Sequence, residues 1–355
     1  MRDFDLAPEL VELQAAADRL GRNELAPNVR DAERAGRWPD AALTVLDGLP
    51  LGDLDLPERL GGVEAGSLAK VVTLETLAMA DAGGLPGADR IGPSVGAVLA
   101  CPDTSIVAEV VASLRQGSAQ SALTVIDIEH EASGIEWAPG WPTLRWIWVS
   151  HGNELRLHEV TGAPQPTAAL AFHASGGVAV SFTQTRRRGT WTLSPHHSLS
   201  VRARARRWGA AVAGGVAQAA LTDTIAYATD RIVFGKPVAH HQGNAFDLAA
   251  AAARLHGARL VVRDAAAAFD RDEPDAAFWA TQAWLETMEA AFTVTNLGIQ
   301  LLGGHGFIVD HLAEKRFREA RMLALLAGGR DAAELDVVAH VLDVPDPFVD
   351  SAPRR

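Results

Sequence analysis

The sequence predicts an α+β protein in three consecutive parts: an N-terminal helical domain (1–120), a small antiparallel β domain (121–198) and a C-terminal four-helix bundle (199–355). Three observations predict it. Apolar residues recur at three- and four-residue spacing through the first part. Short runs rich in β-branched and aromatic residues, bounded by Gly, Pro and Asn, fill the middle. Alanine-rich stretches of 20 to 30 residues with short breaks occupy most of the rest, the pattern of long antiparallel helices.

The elements follow in order. "LAPELVELQAAADRL" and "SLAKVVTLETLAMADA" carry the helical spacing, and the Pro/Gly-rich breaks "GLPLGDLDLPERLGG" and "GGLPGADRIGP" divide the region into several helices. "SALTVIDIEH", "TLRWIWVSHG", "NELRLHEV", "AALAFH" and "GVAVSFTQT" read as strands. From about Ser200 three long helical runs follow, and then "AEKRFREARMLALLA" and "AAELDVVAHVLD". Between these last two, "LLAGGRDAAE" breaks the helix with adjacent glycines, each costing roughly 1 kcal/mol in a helix relative to alanine. A turn is predicted there.

Composition narrows the function. A net charge of −12 disfavours a sequence-independent grip on nucleic acid or anionic lipid. The single cysteine, Cys101, excludes an internal disulfide, and no Cys/His cluster has metal-site spacing, so no metal is expected. The N-terminus lacks a signal-peptide core and no apolar run reaches the roughly 18 residues of a membrane span. These features lead to the expectation of a cytoplasmic protein.

Two segments carry a stronger signal. "YATDRIVFGKPVAHHQGNAFDLA" (Tyr227 to Ala249) resembles the acyl-CoA dehydrogenase signature Y-A-x-x-R-x-x-F-G-x-P followed by a helix opening on Gln. "IQLLGGHGFIVDHLAEKRFREAR" (Ile299 to Arg321) resembles the same family's Q-x-L-G-G-x-G-[FY] and E-[KR]-x-x-R-[DE]-A elements, in the right order and with the right intervening helix. The N-terminal stretch from Leu25 to Gly62 agrees with the family, and the resemblance thins out only in the β domain.

The resemblance implies FAD held between subunits, an acyl-CoA substrate and electron-transfer flavoprotein as electron acceptor. It also implies a carboxylate that removes the α-proton while the β-hydrogen leaves as hydride. On the cofactor, Arg231, Phe234 and Gln242, with Gln300, Gly303 and Gly304, match positions that cradle the pyrophosphate and adenine of a neighbouring subunit's FAD. Arginine suits a pyrophosphate through its fixed fork of donors, and paired glycines let backbone N–H groups approach it. Val233 stands where the family usually has a polar residue. On the flavin side, Thr124 keeps the family threonine, but the E-P-x-A-G-S-D turn is replaced by "IDIEHEASG". "WVSHG" resembles the flavin-shielding W-I-T-N-G, which makes Trp148 and Ser150 flavin contacts, with Trp146 competing for the alignment.

The base is where the chain departs from the family. Counting from Arg318-Glu319-Ala320 places the usual catalytic Glu on Ala327, and the alternative family position, on the first bundle helix, falls on Ala205. Alanine accepts no proton, so no catalytic residue is assigned. Around Ala205 lies "SLSVRARARRWG", whose Arg202, Arg204, Arg206 and Arg207 read as a solvated helix start that favours an anionic partner, with Arg206 the candidate for substrate. Asp331 and His305 are the alternative bases, although "RDAAELDVV" places Asp331 as an N-cap with Glu334 completing a capping box.

Three readings follow. The chain is a non-catalytic subunit of a heterotetramer, of the α2β2 kind known in actinobacterial sterol side-chain breakdown, and completes a paralogous partner's site. Alternatively it is a self-sufficient oxidase, hydroxylase or dehydrogenase with a relocated base. Thirdly, it is a structural or CoA-binding homologue.

Overall fold

A computed structural model of the chain describes residues 5–115, 120–126, 134–141 and 143–342. The N-terminal part holds α1 (Pro8–Leu20), α2 (Val29–Ala35), α3 (Asp40–Asp47), α4 (Gly66–Ala80), the short α5 (Leu85–Ala88) and α6 (Val95–Ala100), and α7 (Thr104–Arg115). Pro8 opens α1 with Glu9 in its first turn, and Gly36 at φ 69° closes α2 in the left-handed conformation that ends helices. Most of α4 is buried, and its N-terminal amides are satisfied from another part of the chain: Ser67 N and Leu68 N donate to the Asp270 carboxylate at 2.5 and 2.9 Å.

The middle part holds β1 (Gln120–Ile126), β2 (Ile135–Ala138), β3 (Thr143–His151), β4 (Glu154–Val160), β5 (Gln165–Pro166), β6 (Val178–Val180) and β7 (Thr185–Thr192). They form two small sheets, ordered β1-β3-β4-β7 and β2-β6-β5. Pairing is antiparallel except that β1 runs parallel to β3, setting Thr124 opposite Trp148 and Ile126 opposite Ser150.

Two strand expectations need correction. "AALAFH" forms no strand: Ala171 and Phe172 are buried, Phe172 sits at φ 55°, and a 3-10 turn follows at His173–Ser175. Its apolar character serves the core without the alternation of a pleat. "TRRRGTWT", not predicted, forms β7, because Glu159 on β4 collects Arg145, Arg186 and Arg188 and so makes an arginine run tolerable there.

The last part holds α8 (Pro195–Asp230), the hairpin β8 (Ile232–Val233) and β9 (Lys236–Pro237), α9 (Gln242–Asp270), α10 (Ala276–Leu302), α11 (Ala313–Leu323) and α12 (Gly329–Leu342). Long helices α8, α9 and α10 alternate in direction, and α11 and α12 pack onto α10, so the fourth bundle position is shared by two short helices. Ser194 caps α8 by accepting from His197 N at 3.3 Å, which starts this helix inside the stretch assigned from sequence to the β domain.

Helix α4 packs on both α8 and α9. Gly215 makes this possible, since a Cβ there would lie 2.2 Å from the carbonyl oxygen of Glu75. Arg259 and Arg263 of α9 neutralise the buried Glu75 carboxylate. Among the described residues no helix is long and apolar enough to cross a membrane.

Candidate active site

A cavity of about 330 Å³ lies where the three parts of the chain meet. Pro86 and Pro93 come from the N-terminal part, Thr124, Ile126 and Trp137 from the β part, and Trp208 and Leu325–Gly328 from the bundle. Among the described residues, none that lines it carries a titratable side chain. The polar features are the Thr124 hydroxyl, which donates to Ser94 Oγ at 3.1 Å, two indoles and the backbone of the 325–328 turn.

That turn is the glycine break foreseen in the sequence. Ala327, Gly328 and Gly329 are consecutively left-handed, at φ 55°, 86° and 71°. Gly328 is required twice over, since a Cβ there would also lie 2.9 Å from Ile126 Cγ2 on β1. The Ala327 carbonyl accepts from Arg206 Nε at 3.3 Å. Helix α12 begins at Gly329, so Asp331 belongs to its first turn and is not the N-cap, and Glu334 pairs with Arg330 at 2.6 Å instead of completing a capping box. Neither acid lines the cavity.

The arginine run is not a solvated helix start. It lies two turns inside α8, and three of its four members are buried. Arg202 grips Asp336 of α12 through Nε and Nη2 at 3.0 and 2.6 Å, Arg206 Nη1 reaches the same carboxylate at 2.5 Å, and Arg207 Nη2 meets Asp55 at 2.5 Å. Arg204 lies 4.2 Å over the Phe269 ring, where burial, with the Arg207 charge beside it, brings its pKa down to about 10. The anionic partners are therefore the chain's own aspartates. Arg206, expected to bind substrate, is fully buried and does not line the cavity; it holds the Ala327 turn against α12. Ala205 is buried and also does not line the cavity.

Thr124 lines the cavity as expected, whereas Trp148 and Ser150 do not. They point from β3 to the face covered by α7, where Trp148 packs with Val110, Leu155 and Leu157 and Trp146 Nε1 donates to Ser113 Oγ at 2.6 Å. Trp148 Nε1 and Ser150 Oγ are buried and have no hydrogen-bond partner among the described residues. The altered turn at residues 127–133 lies outside the described residues.

The six cradle positions converge on one end of the bundle, where α8 and α10 finish and α9 begins. Arg231, Phe234, Gln242, Gln300, Gly303 and Gly304 are all exposed. Tyr227 ties the two helix ends together, its hydroxyl lying 3.5 Å from Leu302 O and 2.8 Å from His305 Nδ1. His305 also stacks on His311 at 5.2 Å and stays clear of the cavity. Phe234 and Gly235 form the two-residue turn between β8 and β9, both with positive φ, and Phe234 is 96% exposed. A Cβ at Gly303 or Gly304 would meet nothing within 4 Å, so the surface there is open to a close-fitting ligand.

Arg206 and Arg231 stand 25 residues apart along α8, on the order of 35 Å at 1.5 Å per residue. The six positions expected to form the cradle therefore lie remote from the chain's own cavity. For a bound pyrophosphate-linked dinucleotide the two regions differ in fit. The exposed arginine and open glycines suit one reaching in from another chain, whereas the Trp148 and Ser150 region is filled by the chain's own apolar packing.

A sequence profile described as "Acyl-CoA dehydrogenase, C-terminal domain" matches residues 201–342, and another described as "Acyl-CoA dehydrogenase, N-terminal domain" matches residues 7–99. The chain belongs to the acyl-CoA dehydrogenase family. It is 26% identical to "Probable acyl-CoA dehydrogenase fadE25" of Mycobacterium leprae, over 92% of this chain and 93% of that one. It is likewise 26% identical to "3-sulfinopropanoyl-CoA desulfinase" of Paraburkholderia xenovorans, over 96% and 97% of the two chains. The butyryl-CoA dehydrogenase structure from Megasphaera elsdenii superposes with a TM-score of 0.77 at 19% identity, covering 96% of this chain and 100% of that one. The cofactor of this acyl-CoA dehydrogenase fold is FAD.

Trp208, Asp89 and Asp336 were not foreseen in the sequence. Trp208 lies within the arginine run and the two aspartates are far away in sequence, so only the fold brings them to the site.

Proposed function

We propose that this chain is a subunit of an FAD-dependent acyl-CoA dehydrogenase assembly, that it supplies the adenine and pyrophosphate cradle to a neighbouring chain, and that it performs no α-proton abstraction itself. One observation carries the reading: among the described residues, none that lines the cavity bounded by Thr124, Trp208 and Ala327 has a titratable side chain. Dehydrogenation of an acyl-CoA needs a base within hydrogen-bond reach of the α-carbon. Ala327 and Ala205 occupy the two positions where the family places it, and Asp331 and His305 lie outside the cavity.

FAD supplies the hydride acceptor in this chemistry. This chain's residues supply charge and space. Arg231 offers paired charge-assisted donors to a pyrophosphate, Gly303 and Gly304 offer backbone approach, and Gln242 and Gln300 offer amide hydrogen bonds. A paralogous subunit, related as in an α2β2 tetramer, then provides the glutamate, and electron-transfer flavoprotein takes up the electrons. Sterol side-chain or fatty-acyl β-oxidation is the setting this role fits.

A second reading is favoured by the desulfinase-named relative, since its name describes chemistry other than dehydrogenation. In that reading the chain is self-sufficient and works without an α-proton base.

Expressing the chain alone and beside a family paralogue separates the two. The subunit reading expects little FAD in the lone chain, a yellow complex with acyl-CoA dehydrogenase activity, and loss of that activity when the paralogue's glutamate is changed to Gln. Introducing Ala327→Glu into this chain is expected to leave that loss unrepaired. An FAD-replete homo-oligomer that oxidises acyl-CoA at an ordinary rate overturns the subunit reading.

A further inference from the structure

A second cavity, of about 440 Å³, lies between the N-terminal part and the bundle and shares no lining residue with the one at the three-part junction. Its walls come from the loop before α4, from Leu99 of α6, from Arg204 of α8 and from the end of α9. The unusual member is Arg204. Among the described residues no carboxylate lies within ion-pair distance of its guanidinium, which stacks 4.2 Å over the Phe269 ring and donates from Nη1 to Ser67 Oγ at 3.3 Å. Burial, with the like charge of Arg207 beside it, brings its pKa down to about 10, as befits a guanidinium short of counter-charge.

The nearby carboxylates are mostly engaged elsewhere. Asp55 is buried and paired with Arg207, and Asp270 accepts the first amides of α4 from Ser67 and Leu68. Glu64 accepts from the Glu58 N–H at 3.1 Å, and the Asp272 carboxylate has no partner among the described residues. Glu64, Asp270 and Asp272 are exposed, as is Arg59, whereas Asp55 is buried and Arg204 partly so. The cavity therefore has an inner side with one uncompensated positive charge and a rim where three carboxylates outweigh one arginine.

This division of charge selects the ligand. A lone anion gains at Arg204 and is repelled at the rim, and a lone cation meets the reverse. A molecule that carries both charges gains at each end. Glu64 and Asp272 are also two of the five non-glycine residues with positive φ among those described, at 55° and 51°, and both border this cavity. Left-handed backbone is costly for such residues and clusters where side chains are held for a ligand. The volume falls within the range of roughly 300 to 1,000 Å³ typical of small-molecule sites.

We propose that this cavity binds a small zwitterion of the amino-acid type, with its carboxylate on Arg204 and its ammonium group at the rim carboxylates Glu64 and Asp272. The planar fork of an arginine receives a carboxylate through paired charge-assisted N–H donors. A ligand held in this way links the loop before α4 to α8 and α9, so occupancy steadies the junction of the N-terminal part with the bundle. The site requires neither FAD nor an acyl-CoA and is independent of the subunit reading.

Calorimetric titration of the full chain tests this, with glycine, γ-aminobutyrate and ε-aminocaproate as zwitterions of increasing charge separation and with caproate and hexylamine as singly charged counterparts. At least one zwitterion is expected to bind saturably, in about the millimolar range or tighter, and roughly tenfold or more tightly than either counterpart at the same ionic strength. That zwitterion should also raise the melting temperature. Arg204→Met keeps a stem over Phe269 without the charge and is expected to weaken binding roughly tenfold or more. Asp272→Asn, neutral and tolerant of left-handed backbone, should weaken it several-fold.

Absence of saturable binding by all three zwitterions overturns the proposal. So does caproate or hexylamine binding as tightly as the best zwitterion, since one charge then suffices. A folded Arg204→Met variant with unchanged affinity overturns it as well. If that variant fails to fold, Asp272→Asn, at an exposed position, decides in its place, and unchanged affinity there has the same meaning. The subunit reading stands or falls separately, on cofactor retention and activity in the complex.

Discussion

Lys315 is buried against two carboxylates, 2.7 Å from Asp81 and in direct contact with Glu319. Asp81 also accepts from Trp38 Nε1 at 2.7 Å, so the cluster joins α11 to the N-terminal part of the chain. Burial pushes the Glu319 carboxyl from 4.5 up to about 7, helped by the Asp81 charge and opposed by Lys315. A carboxyl whose pKa is higher when folded stabilises the fold while both states hold its proton. That contribution is complete below about pH 4.5 and is lost as the pH rises towards about 7. Denaturant midpoints measured from pH 5 to pH 8 should therefore show a decline for which Glu319 is responsible, and Glu319→Gln should flatten it. An unchanged slope in the variant would place the pH dependence elsewhere.

At the scale of elements, the β8–β9 hairpin holds a residue-level cost on an exposed surface. Phe234 adopts φ 51° while burying almost none of its ring. A left-handed conformation costs an L-residue roughly 1–2 kcal/mol, and Asn-Gly is the preferred pair for a two-residue turn with both φ values positive. Phe234→Asn should accordingly stabilise the isolated chain by about 1 kcal/mol in thermal or denaturant unfolding. If the exposed ring serves a neighbouring chain or its cofactor, the same variant should weaken the assembly, giving opposite signs in the two measurements. A ring without such a role would show only the first effect.

The long helices were legible in the sequence because each carries many apolar residues at helical spacing, and the glycine break before α12 was legible because it needs three successive left-handed residues, two of them glycines. The β part was harder to read. "AALAFH" is apolar but lacks alternation, whereas β7 hides under "TRRRGTWT", whose arginines are stabilised by a glutamate on another strand. The arginine run in α8 misled for the same reason. Its counterions, Asp336 and Asp55, are more than a hundred residues away in either direction, so charge that reads locally as surface is buried and paired.

At the scale of the whole molecule, the geometry separates the proposed cradle from the cavity by the length of most of α8. Arg231 lies at the end of that helix, exposed and remote from the three-part junction. Arg231→Ala should therefore leave the unfolding free energy of the isolated chain within about 0.5 kcal/mol of the original, as an exposed substitution does. In a co-expressed complex it should reduce the FAD retained per mole of complex several-fold, read from the flavin absorbance after gel filtration. Unchanged retention would remove Arg231 from the cradle.

The sequence by itself determined the family and the order of helical, β and helical parts, because these depend on local periodicity and on motifs confined to short stretches. Only the tertiary structure decided which of those residues face a common space. It turned Arg206 from a substrate ligand into the support of the Ala327 turn, covered Trp148 and Ser150 with α7, and made Trp208 a wall of the cavity. Burial and ion pairing are properties of what the chain brings together, and the partners here lie tens to hundreds of residues apart.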